Sequence, residues 1–122
     1  MGKLLYGTPP TEVDFDDRVL VHLQIVIGAK LRRGESFFFS WKNDVRVGDG
    51  RTSIWMDASI PLAFKYSGGR VPTVNREWLE ILSASANSGS GLQYIPEPTG
   101  NGEGSGNGGG NGRGPESPAS IR

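Results

Sequence analysis

The stretch Asp16-Asp17-Arg18-Val19-Leu20-Val21-His22-Leu23-Gln24-Ile25-Val26-Ile27-Gly28-Ala29-Lys30-Leu31-Arg32-Arg33-Gly34 decides the fold, because it reads as one long, mostly buried helix. With successive residues about 100° apart, Val19, Leu20, Leu23, Val26, Ile27 and Leu31 share a face, the repeat of a core-facing helix. Val21 and Ile25 fall outside that stripe, so the helix needs cover on more than one side and belongs at the centre of the domain. Its ends are marked as well. Asp16 or Asp17 suits the cap and the positive end of the dipole, Lys30, Arg32 and Arg33 suit the negative end, and Gly34 supplies a left-handed stop.

Outward from the helix towards the N-terminus, Lys3 to Tyr6 and Thr11 to Phe15 read as a hairpin across the turn Gly7-Thr8-Pro9-Pro10, which opposes helix. On the other side, Glu35 to Lys42 is the most aromatic segment. Period two sends Phe37, Phe39 and Trp41 to the core and Phe38, Ser40 and Lys42 to the opposite face. The polar loop Asn43 to Gly50 leads into a strand from Arg51 to Asp57, with Ile54 and Met56 on one side and Trp55 on the other. Leu62 to Tyr66 alternates again, and three strands so close in sequence predict an antiparallel meander. Asn75 caps a second helix running to Asn87, with Trp78, Leu79, Ile81, Leu82 and Ala86 as its apolar stripe. Leu92 to Ile95 closes as a last strand. The order ββαβββαβ predicts an α+β fold: a single small domain whose antiparallel sheet carries both helices on one face.

Composition divides the chain into a domain over 1–96 and a Gly-, Asn-, Ser- and Pro-rich tail over 97–122, which is too poor in apolar residues to order and is expected to be disordered. A body of roughly 100 residues buries about two thirds of its unfolded surface, enough for one modest core without staples. With no cysteine in the 122 residues, disulfides, thiolate zinc sites and cysteine nucleophiles are excluded. That absence fits a reducing compartment, the N-terminus is too short for a signal peptide, and no apolar run reaches bilayer length, so the expected location is cytoplasmic, with no membrane partner. Thirteen basic and thirteen acidic residues balance, so the basic footprint of a duplex binder is missing.

Candidate chemistry is sparse. His22 is the only histidine, and Asp14, Asp16 and Asp17 are near it in sequence, which makes a proton-transfer pair conceivable. No nucleophile stands at matching spacing, and one histidine without cysteine makes a poor transition-metal site, so packing is its expected role. Asp44 and Asp49 lack the alternating carboxylates and terminal glutamate of a calcium loop. Gly48-Asp49-Gly50 is not followed by Gly-Lys-Ser or Gly-Lys-Thr, and Ser88-Gly89-Ser90-Gly91 follows the C-terminus of a helix, the wrong end for an anion. No catalytic, cofactor-binding or metal-binding residue is assigned, no cofactor is expected, and the balance is against an enzyme. The possible interaction surface is Phe38 and Trp55, if the sheet has an open face, flanked by Lys30, Arg32 and Arg33. Aromatics edged by cations form a stacking platform for single-stranded nucleic acid. The same patch suits a protein partner or a second copy of the chain.

The blocks Gly2 to Gly7, Lys30 to Phe37, Ser59-Ile60-Pro61-Leu62 with Phe64, Asn75 with Trp78-Leu79, and Ser85 to Gly89 together resemble a small domain family of actinobacteria, especially of Microbacteriaceae type. The resemblance runs from about Met1 to Pro98. Members are often called ATP-dependent DNA ligase, so the resemblance supplies a taxonomic setting and a name to test against the residues. Ligation itself needs a lysine nucleophile in a Lys-x-Asp-Gly setting to take up AMP. Lys3, Lys30, Lys42 and Lys65 are the only lysines, and the nearest match, Lys42-Asn43-Asp44-Val45, lacks the glycine. The expected function is a small interaction domain that binds a protein partner or a second copy. The alternative is a nucleic-acid-binding or ligase-associated accessory module.

The central-helix reading makes one demand that any function must respect. Val26→Asp puts an unpaired charge into the core and should cost more than about 4 kcal/mol, abolishing the cooperative melting transition. A normal melting curve for that variant refutes the arrangement.

Overall fold

Burial follows the periodicities of the sequence. The computed structural model describes residues 1–43, 48, 50–98 and 119–121. Its elements are β1 (Gly2–Tyr6), β2 (Thr11–Phe15), α1 (Asp17–Arg32), β3 (Phe37–Lys42), β4 (Arg51–Met56), β5 (Leu62–Lys65), α2 (Arg76–Ala86), β6 (Leu92–Gln93) and β7 (Ala119–Ile121). Up to β6 this is the expected α+β order. The cation-loop residues Asp44 and Asp49, and the tail over 99–118, lie outside the described residues.

The strands form two sheets rather than one, ordered β5-β1-β2-β7 and β4-β3-β6. The β1–β2 hairpin is as expected, with Leu4 opposite Val13. The expected meander is not formed, because β5 leaves β4 and pairs antiparallel with β1, setting Phe64 opposite Leu4. The corner that redirects it is held by Asp57, which accepts hydrogen bonds from the backbone N–H of Ser59 at 3.0 Å and from its hydroxyl at 2.5 Å. The Gly7 N–H donates to the Pro61 carbonyl at 2.9 Å and docks the corner on the hairpin turn. In the second sheet β6 joins β3 in parallel, Leu92 beside Phe39. Strand β7 pairs antiparallel with β2, Ser120 opposite Asp14, in a segment where no strand was expected.

One core joins both sheets. Phe15 from β2 packs against Phe39 and Trp41 of β3, with ring centroids 6.1 and 5.9 Å apart. The Tyr6 hydroxyl on β1 donates to the Trp55 carbonyl on β4 and ties the sheets at their margin. Helix α1 buries Val19, Leu20, Leu23, Val26 and Ile27, as the stripe requires, and also His22 and Lys30. Each fully buried large apolar side chain contributes about 1.5–3 kcal/mol. Helix α2 adds Trp78, Leu82 and Ala86.

The helix ends depart from expectation in one respect. Asp16 occupies the cap position of α1 without a side-chain cap bond. Asp17 is drawn away to accept from the backbone N–H groups of Ser67 and Gly68 at 3.1 and 2.9 Å, clipping the loop after β5 to the helix. Gly34 does supply the left-handed stop, at φ +75°. Asn75 caps α2 by accepting from the Trp78 N–H at 3.1 Å.

Close approach of β6 to β3 depends on Gly91. Its φ is +82°, and a Cβ there would lie 2.4 Å from the carbonyl oxygen of Phe38. Gly91→Ala combines a left-handed penalty with a backbone collision and should cost at least ~2 kcal/mol. Urea unfolding of that variant should show a lowered midpoint; an unchanged midpoint would mean that β6 does not need this approach.

Candidate functional site

The outward face of the β4-β3-β6 sheet is built by register. Antiparallel pairing sets Phe38 opposite Trp55, Ser40 opposite Ser53 and Lys42 opposite Arg51, with every one of these side chains pointing away from Phe37, Phe39 and Trp41. Phe38 and Trp55 remain 49% and 47% exposed and meet edge to face, centroids 5.0 Å apart. The Ser40 and Ser53 hydroxyls bond to each other at 2.6 Å. On β6, Gln93 lies beside Ser40 in register. Phe38, Ser40, Arg51, Ser53, Ser90 and Gln93 line one shallow, open depression on this face.

The cations expected to flank the aromatics do not do so as a group. Lys30 is a correction: it is buried, its Nζ pairing with Glu35 at 3.0 Å, donating to the Asn87 side-chain carbonyl at 3.0 Å and lying 5.6 Å from the Phe37 ring centroid. Arg33 is exposed but pairs with the same Glu35 at 3.2 Å, and Arg32 is exposed beside it. Arg33 and then Lys30 push the Glu35 carboxyl down to about 2. These residues close the end of α1 around one acid. Among the described residues the cations on the aromatic face are Lys42, which alternation placed there, and Arg51; neither was singled out as a site residue. The missing signal was the register, which no single strand contains.

His22 is fully buried, and both of its nitrogens are occupied. Nδ1 donates to the Arg18 carbonyl at 2.7 Å, Nε2 accepts from the Asn75 backbone N–H at 2.8 Å, and the ring lies 4.4 Å from Trp78. Two of the three nearby acids are engaged elsewhere. Asp14 pairs with Lys3 at 2.9 Å and Asp17 holds the loop at Ser67 and Gly68. The adjoining cluster is also a scaffold: Glu97 accepts from Arg18 Nε at 2.8 Å, Nη2 at 2.6 Å and Asn75 Nδ2 at 2.8 Å. Arg18 above all, assisted by Asn75 and opposed by burial, holds the Glu97 carboxyl below its ordinary value. Among the described residues no group of three or more His, Cys, Asp or Glu is placed to hold a metal ion, and no helix is long and apolar enough to cross a membrane.

Comparison with protein families matches residues 1–97 to a domain of unknown function, DUF7882. No curated protein and no solved structure matches.

Acid should find the carboxylates first. Asp57 is held at about 2 by the Ser36 hydroxyl and then by Ser59, Glu35 at about 2, and Glu97 is lowered. A folded-state pKa below the unfolded one contributes stability that is full above the unfolded value and is lost as pH falls through the folded one. The melting temperature should therefore be level above about pH 5 and fall between about pH 4.5 and 2. Glu97→Gln should flatten that fall; a variant tracking the wild type across the window excludes the Arg18 clasp as a source.

Proposed function

The chain belongs to the DUF7882 family of domains of unknown function, and from that premise we propose that it is a non-covalent binding module whose contact surface is the open face of the β4-β3-β6 sheet. The observation that carries the reading is the Phe38–Trp55 pair. Two large aromatics are held edge to face on a rigid sheet, each about half exposed, while the aromatics on the reverse of the same strands, Phe37, Phe39 and Trp41, supply the core. Rigid aromatic anchors are the residues that dominate binding energy at contact surfaces. His22, the one side chain suited to acid–base work near neutral pH, is committed through both nitrogens to holding helices together, which favours a binding role over a catalytic one.

A protein partner or a second copy is recognised readily by aromatics of this kind. An accessory role on nucleic acid, including one beside DNA ligation, is the second reading. It draws its support from Lys42 and Arg51 at one end of the face, which a purely apolar contact does not need.

The test is capture by the immobilised full chain, comparing wild type with a Phe38→Ala, Trp55→Ala double variant. Losing the pair and its half-buried area should cost the fold roughly 3 kcal/mol, and a retained cooperative melt shows that the variant is folded. Species retained by the wild type should be lost from the variant. An identical captured set in both would remove the face from consideration.

A further inference from the structure

The open face sets two cations opposite each other. Lys42 and Arg51 are directly opposed on adjacent strands and exposed, and among the described residues neither has a carboxylate partner. Like charges directly opposite each other destabilise a strand pair. A hairpin serving only structure gains nothing from keeping them together, whereas two fixed cations on a rigid ladder make a place for an anion.

What lies next to them narrows the anion. Side chains on one face repeat every second residue, about 7 Å, so the Lys42–Arg51 rung stands about 14 Å from the Phe38–Trp55 rung. Between them stands the exposed Ser53 hydroxyl, bonded to the buried Ser40, with the Gln93 amide alongside. Just past the end of the ladder, away from the cations, Ser36 meets Asp57, whose oxygens are engaged by Ser36 and Ser59. Aromatic rings alone suit any apolar partner, and paired cations alone suit any anion. The sequence of aromatic, hydroxyl and amide, then cation suits a polymer that carries flat bases on a phosphodiester chain.

Resting on the reading of this face as the binding surface, we propose that it takes single-stranded nucleic acid, with bases stacked on Phe38 and Trp55 and phosphates held by Lys42 and Arg51. Stacking tolerates any sequence, because every base has a π-face. Duplex is disfavoured, since its stacked bases present no free faces to the aromatic pair.

The experiment is fluorescence anisotropy of the full chain with labelled, mixed-sequence single-stranded DNA and RNA and with the corresponding duplex. Saturable binding to single strands is expected. Two phosphate contacts at a single-strand slope of about 0.7 each should weaken it about sevenfold between about 50 and 200 mM salt. Trp55→Ala should weaken it at least fivefold, from about the lower limit of base–aromatic stacking. Lys42→Gln with Arg51→Gln should remove the salt dependence and most of the affinity while leaving the melting temperature unchanged or higher, because the like-charge contact is relieved. Absence of saturable binding at low salt, equal affinity for duplex, or affinity unchanged in Trp55→Ala overturns the proposal. If a captured species still depends on Phe38 and Trp55 in that event, the face remains a binding surface and only its nucleic-acid occupant is refuted. If nothing depends on them, both readings fall.

Discussion

The imidazole of His22 is the joint on which the helical layer depends. It accepts the Asn75 N–H, returns its own N–H to the Arg18 carbonyl and lies against Trp78, so one ring connects α1 to the first turn of α2. Both ends of that turn are then determined. Asn75, held through its backbone, is free to cap the helix with its side chain, and Trp78 donates its indole N–H to the Ile95 carbonyl at 2.7 Å. The segment that follows β6 is therefore fixed from the same point. Without the ring, a partly buried amide would lose its acceptor, which generally costs more than the bond itself contributes.

From this joint the division of labour between the sheets follows. The helices and the first sheet cover the inner side of β3, where Phe39 and Trp41 meet Phe15. Among the described residues no further layer lies over the outer side. Exposure of Phe38 and Trp55 thus arises from topology, and what the sequence adds is the choice of residues put there: aromatics, hydroxyls and cations in ordered rungs rather than the charged and small polar mixture of an ordinary solvent face.

Periodicity made much of this legible. Val19 to Ile27 announced the central helix, and alternation in Phe37 to Lys42 assigned each side chain to its face. Pairing was less legible, because an alternating strand specifies which side is buried but not which neighbour it takes. Leu62 to Lys65 fits β4 or β1 equally well by pattern, and the corner at Asp57 and Pro61 decides for β1. Lys30 misled for a related reason. A lysine in the last turn of a helix belongs at the surface by default, and only the tertiary arrangement of Glu35, Asn87 and Phe37 supplies the partners that let it be buried. Lys42 and Arg51 were visible individually, yet their opposition exists only once β3 and β4 are in register.

The three tryptophans are distributed so that the protein carries its own optical reporter. Trp41 and Trp78 are 3% and 1% exposed, one against the aromatic bridge between the sheets and the other against His22, while Trp55 alone stands half in water. Its exposure makes it the indole an aqueous quencher should reach first, with a red-shifted emission expected of it relative to the two buried ones. Events at the open face and events in the core are therefore separable in a single spectrum of the unlabelled chain.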